Sequence, residues 1–126
     1  MKKINMKSHM YLDYLVVALF VIGPTVLGLG DLAVKISLAL ALVHSTVTLL
    51  TFTPSFSIVS SKVHGVIEIL VAPSLLSVPW ILGFSNHTAS LIFFTFMGIS
   101  TFAAWAITDY NTVSVKIRTS MLKNVR

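Results

Sequence analysis

Two short spacings carry the chemistry open to this chain: His9-x-x-x-Asp13 and His64-x-x-x-Glu68. Residues four apart on a helix share one face, so each pair sets an imidazole beside a carboxylate. Facing each other, the two pairs would offer two nitrogens and two carboxylates. That set suits zinc or another borderline divalent metal, or a coupled relay for protons or a small cation. The same histidines could ligate a haem between helices, although no other residue marks such a pocket. A plainer reading competes with all three. Near a membrane surface His and Lys meet lipid headgroups, and a carboxylate early in a helix is favoured by the helix dipole.

Much else is excluded. The chain has no cysteine, which removes disulfides, iron–sulfur clusters and thiol nucleophiles. It carries no Gly-rich phosphate loop, no nucleotide motif and no Ser-His-Asp order, so an enzyme is not expected. The net charge of +5 does not point to nucleic acid, because the basic residues flank apolar runs, where positive charge sets topology and meets anionic headgroups. With 56% apolar and only 10% charged residues, and a mean hydropathy of +0.91, the chain cannot clothe a water-soluble globule of its size. Lipid must be its solvent.

The elements that must position the two pairs are apolar stretches at Tyr11 to Leu29, Leu32 to Phe52, Val63 to Phe84 and Ala89 to Ile107. Each has about the 20 residues a helix needs to cross a bilayer, and lipid leaves no other partner for the backbone. Short turns at Gly30-Asp31 and Ser85-Asn86-His87-Thr88 make two antiparallel hairpins, joined by Pro54 to Lys62. The fold class expected is all-α: a polytopic membrane protein of four transmembrane helices. The N-terminus, the link and the tail hold eight of the nine Lys and Arg, which places both termini in the cytoplasm and the chain in the inner (plasma) membrane. Lys35 can snorkel to the opposite interface beside Asp31. The first apolar run lacks a clear small-x-small cleavage site and matches the third run position by position, so it reads as a helix, not a removable signal.

A shift of 55 residues lays the first hairpin on the second. Lys7 meets Lys62, His9 meets His64, Asp13 meets Glu68, Pro24 meets Pro79, and Leu27-Gly28 meets Leu82-Gly83. Asp31 falls on Asn86, Ser45-Thr46 on Ser100-Thr101, and Thr53 on Thr108. One ungapped register for polar, Pro and Gly residues reads as an internal repeat, spanning about residues 7–53 and 62–108 of a single domain. A unit of two crossings makes the repeat parallel, with a pseudo-twofold axis along the membrane normal. At about 100° per residue, His9, Asp13, Val16, Pro24, Leu27 and Gly28 share one face, as do Ser45, Thr46 and Thr53. These matched faces are expected to pack against each other.

The stretch Leu76-Ser77-Val78-Pro79-Trp80-Ile81-Leu82-Gly83-Phe84, together with the hairpin unit and its polar start, resembles the prokaryotic SPW repeat family, named for a Ser-Pro-Trp motif. Val78 stands where the motif has Ser, and the first copy reads Gly23-Pro24-Thr25. The resemblance implies a small integral membrane protein of repeated hairpins and assigns no activity.

His44 sits deep in the second apolar run, where a polar group should face protein; with Ser37, Thr48 and Thr51 it forms a second stripe, away from Ser45 and Thr46. It either enters the His/carboxylate site from one side or hydrogen-bonds a neighbouring helix. Pro24 and Pro79 should end the outer halves of their helices. Trp80 and Phe84 fit one aromatic belt, Tyr11, Tyr14, Trp105 and Tyr110 the other. In the tail, 109–126, Val113, Ile117, Met121 and Val125 alternate with Lys116, Arg118, Lys123 and Arg126, a basic amphipathic helix for anionic lipid. Without a ligand, the chain would serve as a structural or accessory subunit, in a homo-oligomer or a larger membrane complex.

Overall fold

The structure is a computed structural model that describes residues 3–111 and 122–125. It is all-α, with four helices long and apolar enough to cross a membrane: α1 (Met6–Val26), α2 (Asp31–Phe52), α3 (Ser61–Ile81) and α4 (Thr88–Ile107). A single 3-10 turn, Pro54–Phe56, lies in the link. No strand occurs among the described residues; one isolated parallel bridge joins Ile4 to Thr108. Most of the tail helix read from the sequence, including Val113, Lys116, Ile117, Arg118, Met121 and Arg126, lies outside the described residues.

Both α1 and α3 begin before their apolar runs, at Met6 and Ser61 instead of Tyr11 and Val63. The Asn5 side chain accepts from Ser8 N–H at 2.9 Å, and Ser60 accepts from Val63 N–H at 3.2 Å. These caps satisfy N–H groups that a helix start leaves bare, so the polar turn that carries the histidines is helical. Both helices also stop alike. Leu29 N–H bonds Pro24 O at 2.9 Å and Gly28 N–H bonds Thr25 O at 3.3 Å; Phe84 N–H bonds Pro79 O at 2.9 Å and Gly83 N–H bonds Trp80 O at 3.3 Å. This is a Schellman ending, and Gly28 (φ 64°) and Gly83 (φ 76°) supply its left-handed residue. The prolines therefore lie inside the last turn and lend their carbonyls to the stop. Leu29 and the Phe84 ring fold back into the core, so Phe84 packs on Phe94 instead of joining the aromatic belt with exposed Trp80.

The helices follow one another round a square. α1 packs along α2 and α3 along α4, while α1 meets α4 and α2 meets α3 over shorter stretches. α1 and α3 are diagonal, so their inward side chains meet on the bundle axis. Toward the turn end the axis is filled by Phe20, Leu75, Phe84, Phe93, Phe94 and Met97. Toward the end that holds Ile4, the link and Thr108, it is filled by polar groups. The outer surface is apolar, with Leu15, Ile22, Leu42, Leu70, Ile81 and Phe96 exposed, as a lipid-facing bundle requires.

In α2 the expected packing face is corrected. The buried stripe is Ser37, Thr48 and Thr51, whereas Thr46 is exposed and Ser45 and Thr53 are only partly buried. Ser45 and Thr46 donate to Leu42 O at 3.0 and 2.8 Å. A hydroxyl that returns its proton to its own helix needs no neighbour, so these matched residues can face lipid.

Candidate functional site

His9, Asp13, His64 and Glu68 all meet on the axis, each 4% exposed or less. One ligand atom from each lies within 4.8 Å of every other. His9 Nε2 is 3.3 Å from Asp13 Oδ1 and 3.1 Å from Glu68 Oε1; His64 Nε2 is 3.3 Å from Asp13 Oδ2 and 3.8 Å from Glu68 Oε1. The imidazole rings sit edge to face, 5.4 Å between centroids. Each helix contributes one nitrogen and one carboxylate because four residues return the chain to the same face. The diagonal placement of α1 and α3 brings the two faces together.

The other nitrogen of each imidazole is tied to a threonine of the opposite hairpin. His9 Nδ1 lies 2.8 Å from Thr108 Oγ1, and His64 Nδ1 lies 2.9 Å from Thr51 Oγ1. Thr108 donates its own proton to Ala104 O at 2.6 Å, and Thr51 donates to Val47 O at 2.8 Å. Each hydroxyl has one proton to give, so its oxygen accepts from Nδ1–H. That places a proton on each Nδ1 and turns each Nε2 into the cluster. Among the described residues, Nε2 of His9, His44 and His64 are buried without a hydrogen-bond partner.

His44 reaches the edge of the cluster. Its Nε2 is 3.4 Å from Asp13 Oδ1, so it approaches asymmetrically from α2. Thr48, one turn on, shares its hydroxyl between Asp13 Oδ2 at 3.2 Å and His44 O at 2.9 Å. On the opposite side the Tyr110 hydroxyl donates to Glu68 Oε2. Burial, with the Glu68 carboxylate next to it, pushes the Tyr110 phenol above its ordinary value, so it stays a donor. Its ring lies against His9 at 5.6 Å between centroids and covers Gly65, where a Cβ would come within 3.1 Å of it. Tyr110 thus belongs to the site and not to the aromatic belt expected for it.

Compared with known protein families, curated proteins and solved structures, the chain matches none. The geometry must therefore speak alone. Beside the cluster is a cavity of about 30 Å³ lined by Phe20, Leu40, His44, His64, Glu68 and Thr101, room for a water or two.

Of the groups around the cluster, the sequence pointed to the two pairs and to His44. It did not reveal Thr108, Thr51 and Tyr110 as their partners. The usable signals were that Thr51 falls in the His44 stripe and that Thr108 stands 55 residues after Thr53.

Proposed function

We propose that this chain is a small membrane protein that binds a small cation, a metal ion or its equivalent in protons, on the axis between two related hairpins. The observation that carries the reading is the set of buried Nε2 atoms without a hydrogen bond, turned toward two buried carboxylates, with nitrogen to oxygen separations of 3.1 to 3.8 Å. Lone pairs and anionic oxygens repel, and a buried charge without compensation costs several kcal/mol (roughly) even after relaxation. A positive charge between them removes both costs.

The matched caps and Schellman endings of α1 and α3, 55 residues apart, support a parallel internal repeat. The distribution of Lys and Arg supports an inner-membrane protein with both termini and the link in the cytoplasm. Haem is the weaker ligand, since a cavity of about 30 Å³ is a tenth or less of the roughly 300–1,000 Å³ that larger ligands occupy. Binding, not catalysis, is the role.

Infrared difference spectra in mild detergent test the proposal. Stripping cations with a chelator, or changing pH, should move the Asp13 and Glu68 carboxylate bands, and His9→Gln/His64→Gln should abolish the response. Bands that ignore both treatments would leave a structural or accessory subunit as the account.

A further inference from the structure

Resting on the cation reading above, we infer that the cation is zinc or a closely similar first-row divalent ion, held four-coordinate by His9 Nε2, His64 Nε2 and one oxygen each of Asp13 and Glu68. Thr51 and Thr108 act as positioning residues that aim the two imidazoles. Three features select this ion over protons and alkaline-earth ions.

The first is length. A tetrahedral ion with bonds of about 2.0–2.1 Å separates its ligands by about 3.3–3.4 Å. With Asp13 Oδ1 and Glu68 Oε1 as the two oxygens, His9 Nε2 stands 3.3 and 3.1 Å from them and His64 Nε2 3.8 Å from Oε1, while His64 meets Asp13 through its other oxygen, Oδ2, at 3.3 Å; one ligand atom from each residue lies within 4.8 Å of the others. A proton shared directly between imidazole and carboxylate would draw the atoms to about 2.7–2.9 Å with the hydrogen in line. None of the three Nε2 atoms makes such a bond among the described residues.

The second is tautomer. Metal-ligating histidines hold their remaining N–H on an acceptor, which fixes the ring and makes the ligating nitrogen more basic. Thr108 and Thr51 do this for His9 and His64, at 2.8 and 2.9 Å. Both threonines come from the hairpin opposite the histidine they hold, so docking the hairpins sets both nitrogens at once.

The third is donor chemistry and charge. Calcium takes six to eight oxygens and magnesium keeps several waters in an octahedron, whereas this cluster is buried and half nitrogen. Imidazole with carboxylate suits zinc and its neighbours. Two carboxylates and two neutral imidazoles also balance a divalent charge, which a site surrounded by lipid requires. His44, 3.4 Å from Asp13 Oδ1, stands outside the four-atom set as a partner to the carboxylate.

The test uses the full chain in detergent, stripped by chelation and titrated with Zn²⁺, Co²⁺ or Mg²⁺. Zinc and cobalt should each bind at roughly one ion per chain, cobalt with the intense visible absorption of a four-coordinate complex, and magnesium should not compete. Thr108→Val and Thr51→Val should each weaken zinc binding by about 10- to 100-fold, and Thr108→Ser should restore it, since a merely structural threonine would not need its hydroxyl. Failure to bind any divalent ion, with the pH response of the carboxylate bands intact, overturns this inference and leaves protons as the cation. Loss of both responses overturns the cation reading itself. Preference for magnesium, or a six-coordinate cobalt spectrum, also contradicts the assignment.

Discussion

Tyr110 shows how much of the site depends on residues that no local spacing reveals. Its hydroxyl meets a carboxylate 42 positions away, and Thr108 meets His9 across 99. A sequence pattern can pair His9 with Asp13, because one helical turn joins them, but the partner of an imidazole across the bundle is decided by helix order. The polar core was therefore legible and its supports were not. Tyr110→Phe keeps the ring over Gly65 and removes the donor to Glu68. A buried acceptor left bare costs about 1–3 kcal/mol, so the variant should unfold earlier in mixed-micelle denaturation by that amount. The phenol is raised above its ordinary value by burial and Glu68, and a raised phenol stays protonated as pH climbs. At about pH 10, where free tyrosines ionise, wild type and Tyr110→Phe should show the same growth of tyrosinate absorption. A missing titrating tyrosine in the variant would place Tyr110 in water.

At the scale of the elements, the apolar runs marked four helices, but not where α1 and α3 begin. Met6 to Met10 is too polar to count as a membrane span, and the Asn5 cap makes it helix anyway. The two left-handed glycines give a symmetric prediction. Neither Gly28 nor Gly83 has an atom within 4 Å of where a Cβ would stand, so Gly28→Ala and Gly83→Ala should each cost only the backbone term, about 1–2 kcal/mol, and by similar amounts. A cost at one position alone would break the equivalence of the two caps. Gly98 is different. A Cβ there would come within 2.8 Å of Leu76 Cδ2 and 3.1 Å of Ala72 O, and a backbone carbonyl cannot step aside. Gly98→Val should destabilise the α3–α4 hairpin by about 1–3 kcal/mol, read from thermal unfolding followed by circular dichroism. An unchanged melting temperature would mean that α3 and α4 are less closely packed.

For the whole molecule, helix order does the work that sequence similarity cannot. Placing α1 diagonal to α3 sends both His/carboxylate faces to the axis, so the site exists only when the hairpins are docked. The like spacing of His9-Asp13 and His64-Glu68 led to the expectation that the two faces address each other, and His9 meets Glu68 and His64 meets Asp13 across the axis. The repeat misjudged α2, where residues without a counterpart, His44, Thr48 and Thr51, face the site and the matched Ser45 and Thr46 do not. Topology can be checked cleanly because the natural chain has no cysteine. A membrane-impermeant thiol reagent should label Asn86→Cys from outside the cell and Ser57→Cys only in inverted vesicles; the reverse pattern would overturn the cytoplasmic placement of the link.

The most direct measurement is the metal content of the protein as purified in mild detergent, set against that of His9→Gln/His64→Gln prepared in parallel. The account predicts roughly one zinc-class ion per wild-type chain and almost none in the variant. Equal metal content in the two proteins would contradict it.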